Sequence, residues 1–202
     1  MPLVLGANSA VATGDLVSNS LRFNDDDSPV LTKSLSSPNT DKFTISQWIK
    51  LCGTETAFWA LGKRLTGEIG DNASIDLSNS SSGRMSISSY DGVANATRAA
   101  YNSNQGQGPL MVDSTAWFHF VYAFDTGQSS SGDRFKWYIN GELQSGFNTT
   151  TTPSQNIDLF PSSGSELRIG KKINDESKFG NHYVAYFHYS DGFQYAASDF
   201  GE

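Results

Sequence analysis

The run "FTISQWIKL" sets Phe43, Ile45, Gln47, Ile49 and Leu51 against Thr44, Ser46, Trp48 and Lys50. That period of two predicts a β-strand with one largely apolar face. "WFHFVYAFD" repeats the pattern, with Phe118, Phe120, Tyr122 and Phe124 on one side and Trp117, His119, Val121, Ala123 and Asp125 on the other. Both sides carry bulk, which predicts a central strand covered on each face. In "DRFKWYINGELQSGF", Phe135, Trp137 and Ile139 alternate with Lys136 and Tyr138. Asn140-Gly141 then supplies the left-handed turn of a hairpin and Leu143 begins the return. Weaker alternation predicts strands at 20–23, 57–61, 74–77, 84–88, 167–170 and 183–189. No segment sustains a helical period, and no repeat of 20 to 50 residues is present, which excludes a solenoid.

Composition sharpens this picture. The 202 residues include 19 glycines and are dense in Ser, Thr and Asn, residues of turns and short strands. The length suits one domain, and the fold class expected is all-β. Residues 1–17, "MPLVLGANSAVATGDLV", are small and weakly apolar and read as an N-terminal arm, leaving 18–202 as the domain. The net charge of -7 and scattered basic residues argue against nucleic acid as a partner. The apolar stretch at 2–5 is shorter than a signal-peptide core or a membrane span, so neither secretion nor membrane insertion is expected. The single cysteine, Cys52, excludes an internal disulfide and is expected to be a small buried hydrophobe. Asn72, Asn79, Asn95 and Asn148 head sequons, read here as loop composition.

The order of segments then becomes informative. "NSLRFNDDDSPVL", "FTISQWIKL", "WFHFVYAFD", "FKWYINGEL", "ELRIG" and "YVAYFHYSDG" together resemble the concanavalin A-like jelly roll of the laminin G-like kind, from about Ser18 to Glu202. The opening "SLRFNDDDSP" and the ending "FHYSDGFQYAASDFGE" are most similar to versions found in tail fibres and other virion proteins of bacteriophages, marine ones in particular. The resemblance implies two antiparallel sheets packed face to face. It also implies a viral structural or receptor-facing role.

Glucanases of that superfamily carry a Glu-x-Asp-x-x-Glu strand motif that places two carboxylates for retaining hydrolysis. Glu55, Glu68, Glu142, Glu166 and Glu176 lack partners at that spacing, so no enzymatic activity is expected. "NDDDSP" gathers hard oxygen ligands, making Asp25, Asp26 and Asp27 candidates for Ca2+, as in some laminin G-like domains. It lacks the glycine of a calcium loop, because the sixth residue from Asp25 is Val30, and a solvated acidic turn is the plainer reading. His119, His182 and His188 show no metal-ligand spacing. Trp48, Trp117 and Trp137 are expected to pack in the core or at sheet edges, with Trp59 unassigned. The stretch 89–108, "SYDGVANATRAAYNSNQGQG", reads as a loop in which Tyr90 or Tyr101 stacks on a sugar ring while Asn102 and Asn104 bond its hydroxyls.

The expected function is therefore a noncatalytic bacteriophage virion structural protein, such as a capsid decoration, head-fibre or tail-fibre subunit. It would be located in the virion, contact other virion proteins and form a homo-oligomer, with a trimer favoured. The alternative is a carbohydrate-binding module that attaches to host surface glycans. The C-terminal "FQYAASDFGE" is expected to cover an exposed sheet edge or core end with Phe193, Tyr195 and Phe200, as a clasp that closes the fold.

Overall fold

The computed structural model describes residues 17, 19–52, 56–63, 75–80, 84–91, 96–102, 113–147, 149–173 and 179–201. In chain order its strands are β1 (Leu21–Phe23), β2 (Leu31–Ser34), β3 (Lys42–Leu51), β4 (Thr56–Ala57), β5 (Trp59–Gly62), β6 (Ile75–Ser80) and β7 (Arg84–Asp91). They continue as β8 (Ala96–Asn102), β9 (Phe118–Asp125), β10 (Phe135–Ile139), β11 (Glu142–Leu143), β12 (Thr149–Thr151), β13 (Glu166–Ile169) and β14 (His182–Asp191).

One layer is a six-stranded antiparallel sheet in the order β1-β14-β3-β9-β10-β11. The second consists of β12-β8-β7-β6-β4 and β2-β13-β5, which run on from each other because only Phe58 separates β4 from β5 and β5 lies beside β6. The inward residues of β3 and β9 form the floor of the core, with Phe43, Ile45, Ile49, Phe120, Tyr122 and Phe124 all fully buried. Phe58, Trp59, Leu61, Met85, Ile87 and Phe160 close it from the other side. Burying each such side chain contributes roughly 1.5–3 kcal/mol, which makes this the main source of stability.

The strong alternations become the strands they predict, and the hairpin turns on Asn140 (φ +49°) and Gly141 (φ +81°). The first and last strands pair: Leu21, Arg22 and Phe23 face Val184, Tyr183 and His182. Three elements depart from expectation. β2 is exposed along its whole length and carries no period, and β12 is a run of three threonines, which writes no alternation either. The stretch read as a loop from 89 to 108 contains the end of β7 and all of β8, whose alanines contribute no legible alternation. Cys52 is a further correction. It is exposed, because Leu51 is the last inward residue of β3 and the chain turns outward after it, held by a bond from Cys52 N to Asn181 O.

The C-terminal segment also lies elsewhere than expected. It crosses the outer face of β3 and β9, in the middle of the sheet and away from its edge. The Thr44 hydroxyl donates to Phe193 O (2.8 Å) and accepts from Tyr195 N (2.9 Å), and Gln194 Nε2 donates to Asp133 O (2.8 Å). A 3-10 turn, Ala197–Phe200, then brings Phe200 to the rings of His119 and His188. Phe193 covers nothing of the sheet: it is 57% exposed and stacks on Tyr195. Under this strap Thr44, Ser46 and His119 are buried even though they point away from the core.

Candidate functional site

Two surface features stand out, and both depend on how β14 is built. Its inward residues are His182, Val184, Phe187 and Tyr189, because a bulge between Ala185 and His188 places Tyr186 and Phe187 opposite Gln47 alone. The bulge resets the alternation: Phe187 packs toward the core and Tyr186 is pushed outward. Tyr186 adopts φ +46°, a left-handed conformation that costs a non-glycine residue roughly 1–2 kcal/mol. Such strain marks a position worth a functional reading.

Beside the bulge the two layers do not close. A groove of about 250 Å³ runs between the edge strands β1 and β2, lined by Leu21, Leu31, Ile169, Val184, Tyr186 and Phe187. Asn19 and Ser20 add polar groups at its mouth. Leu21 is 55% exposed, Tyr186 48% and Leu31 46%, and Val30 adds a further exposed side chain next to Leu31. Large apolar side chains clustered on two neighbouring edge strands form the kind of patch that marks a contact surface.

The second feature lies at the end of the same sheet, on its outer face, beyond the strap. Cross-strand register sets Tyr183 of β14 beside Lys50 of β3. The Trp117 and Tyr183 rings meet edge to face at 6.5 Å, and the Arg22 guanidinium sits 5.2 Å over the Tyr183 ring while donating to Asn181 Oδ1 at 2.8 Å. Trp48 stacks on His119 at 5.0 Å. Trp48, Lys50, Trp117 and Tyr183 are half-buried, so the region offers ring faces and two cations together.

The residues singled out from sequence do not assemble into one site. Tyr101 is buried: its ring lies 4.3 Å from that of Phe135 and 5.5 Å from that of Phe147, leaving no open face for a sugar. That burial raises its pKa, with a Thr152 hydrogen bond and the charge of Arg134 opposing the shift. Tyr90 is half-buried on β7 opposite Thr97, whereas Tyr101 pairs with Ile87, so the two tyrosines stand at opposite ends of the strand pair. Asn102 ends β8, opposite Thr149, and Asn104 lies outside the described residues. Asp25, Asp26 and Asp27 follow one another on an exposed 3-10 turn, where Asn24 Nδ2 donates to Asp27 Oδ2 at 2.8 Å. Among the described residues no three His, Cys, Asp or Glu side chains converge on a point that would hold a metal ion.

His119 and His182 are packed inside the fold, whereas His188 is exposed. Ser46 Oγ lies 2.8 Å from His119 Nε2, and Trp48 and Phe200 cover the imidazole. His182 packs between Phe23 and Phe58, and burial, reinforced by the Arg22 charge, lowers its pKa to about 3. Trp59 and Trp137 belong to the core, while Trp48 and Trp117 lie half-buried on the outer face. Sequence reasoning missed the rim groove because its residues come from four separate segments. The one local signal was the doublet Tyr186-Phe187 interrupting an otherwise regular alternation.

Comparison with known proteins adds context. The family model of the concanavalin A-like lectin/glucanases superfamily matches residues 24–182. None of the curated proteins matches the sequence. Full-length tailspike protein 2 of the Escherichia coli O157:H7 bacteriophage CAB120 superposes with a TM-score of 0.60 at 17% identity, over 90% of this chain and 23% of the tailspike. The CBM40 of a Ruminococcus gnavus IT-sialidase, solved with alpha2,3 sialyllactose, gives 0.52 at 14% identity over 84% of this chain and 95% of its own. A native heptameric SAP-like pentraxin from Limulus polyphemus gives 0.52 at 15% identity over 80% and 69%. At these identities the likeness is one of fold.

Proposed function

The chain belongs to the concanavalin A-like lectin/glucanases superfamily, and from that premise we propose that it is a noncatalytic assembly module of a bacteriophage virion that associates with further copies of itself. The observation that carries this reading is the open rim, where Leu21 on edge strand β1, Leu31 on edge strand β2 with Val30 just before it, and Tyr186 at the β14 bulge are all exposed. Burying such a patch in a symmetric contact removes apolar surface from water and covers free strand edges at once. A closed homo-oligomer, a trimer above all, suits a fibre or decoration subunit. Two of the described glutamates support the noncatalytic reading: Glu166 is tied to Arg168 at 2.5 Å, and Glu142 stands on β11 in the other layer. The fold likeness to a phage tailspike supports the virion setting.

Light scattering on the purified full chain tests the assembly. We expect a defined oligomer at micromolar concentration and a monomer for the double variant Leu21→Asp/Leu31→Asp. A wild-type chain that stays monomeric up to millimolar concentration overturns the reading.

A second reading is favoured by the outer-face cluster. Trp117 and Tyr183, with Lys50 beside Tyr183 and Arg22 over its ring, would suit a saccharide that stacks one ring face and presents an acidic group to the cations. Under this reading the domain is a carbohydrate-binding module for host surface glycans. Titration with an acidic and a neutral oligosaccharide, read by tryptophan fluorescence, tests it. Saturable binding lost in Trp117→Ala supports the module, and no response at millimolar sugar removes it.

A further inference from the structure

The centre of the sandwich carries polar atoms that the hydrophobic core does not satisfy. Gln47 lies on the inward face of β3 between Ile45 and Ile49 and is fully buried. Its Oε1 and Nε2, the Tyr122 hydroxyl, and the indole Nε1 atoms of Trp59 and Trp137 are all buried, and none has a partner in the protein at full hydrogen-bond geometry. These side chains are neighbours. The Tyr122 ring lies 5.5 Å from that of Trp59 and 5.6 Å from that of Trp137. The Gln47 and Trp137 polar groups also act on the Tyr122 phenol, opposing the rise that burial imposes on its pKa.

We propose that Gln47, Trp59, Tyr122 and Trp137 hold at least one ordered water molecule between the two sheets, as a specific internal binding site. Donor and acceptor arithmetic carries the argument. The two indoles donate one hydrogen each, the Gln47 amide two and the Tyr122 hydroxyl one, while acceptors come only from Gln47 Oε1 and the Tyr122 oxygen. Rearranging the side chains satisfies part of the set: Trp137 Nε1 can donate to the Tyr122 oxygen, and the Tyr122 hydroxyl to Gln47 Oε1. The Trp59 indole and both Gln47 amide hydrogens then still lack acceptors. A water oxygen accepts two of these hydrogens and returns its own to Gln47 Oε1 and Tyr122, giving four bonds, at the top of the roughly two to four that buried waters make. Gln47 also stands opposite the bulge at Tyr186 and Phe187, which places the internal water behind the rim groove.

Water-to-indole cross-relaxation on the 15N-labelled full chain tests the proposal. Assigned by single Trp→Phe variants, the Trp59 and Trp137 indole protons should show dipolar contacts with a long-lived water, distinguished from exchange by the relative sign of the NOE and ROE peaks. Tyr122→Phe removes the phenolic proton as a relay, and the contacts should persist. Gln47→Leu should abolish them, with Gln47→Met as the replacement if the leucine variant does not fold. Absence of both contacts in the wild-type chain, or their survival in the glutamine variants, overturns the assignment.

Discussion

Tyr101 was a plausible sugar platform by composition and is a core residue by position, and the difference is measurable. Tyr101→Ala empties the space against Phe135 and Phe147 and should cost about 3–5 kcal/mol in urea denaturation. A surface tyrosine would cost almost nothing. Gly170 is as constrained for another reason. It has φ +85°, and a Cβ there would sit 2.2 Å from Phe23 Cδ1. Gly170→Ala should therefore be destabilised by roughly 2–4 kcal/mol, combining the left-handed penalty with overpacking. His182 sets a pH dependence. Its folded pKa of about 3 lies below the usual 6.5, so between those values the unfolded chain binds a proton that the folded chain refuses. Stability is unaffected by His182 above about pH 6.5 and falls as pH drops toward 3, with a slope of up to ~1.4 kcal/mol per unit. A pH series of denaturation curves should show that slope in the wild type and lose it in His182→Gln.

At the level of elements, the strap and the bulge make separable predictions. Removing 193–202 uncovers Thr44, Ser46 and His119 and discards Phe200, so we expect a loss of roughly 2–5 kcal/mol. An unchanged melting temperature would show that the strap is ornamental. Tyr186→Gly should leave stability equal or raised by about 1 kcal/mol, since glycine accepts φ +46° without strain, while weakening self-association. These elements also show where sequence reasoning reached its limit. β3 and β9 were legible because bulky residues recur at every second position. β8 was not, because Ala99 and Ala100 are buried without being large, and small residues write no period. β2 was hidden for the opposite reason, being exposed on both sides. That the C-terminal segment folds back on the domain was legible, but where it lands was not, because nothing local says which face of a distant sheet a segment will cross. Nor does the polar character of Thr44 announce its burial, because the strap that covers it bonds it from Phe193, 149 positions away.

For the molecule as a whole, the chain order of the six-stranded sheet matters most. β14 lies between β1 and β3, so the penultimate segment of this sequence fills a gap between two of its earliest strands. A ribosome delivers β1 and β3 long before the strand that must separate them. Until β14 emerges, both leave backbone groups and apolar side chains waiting, and they are exposed to premature pairing with other nascent chains. Pairings of such long sequence separation also make folding slow, on the scale of milliseconds to seconds. Synthesis, more than the finished fold, is then the vulnerable moment for this protein, and an early stop codon before Tyr183 should yield aggregates in place of a shortened domain.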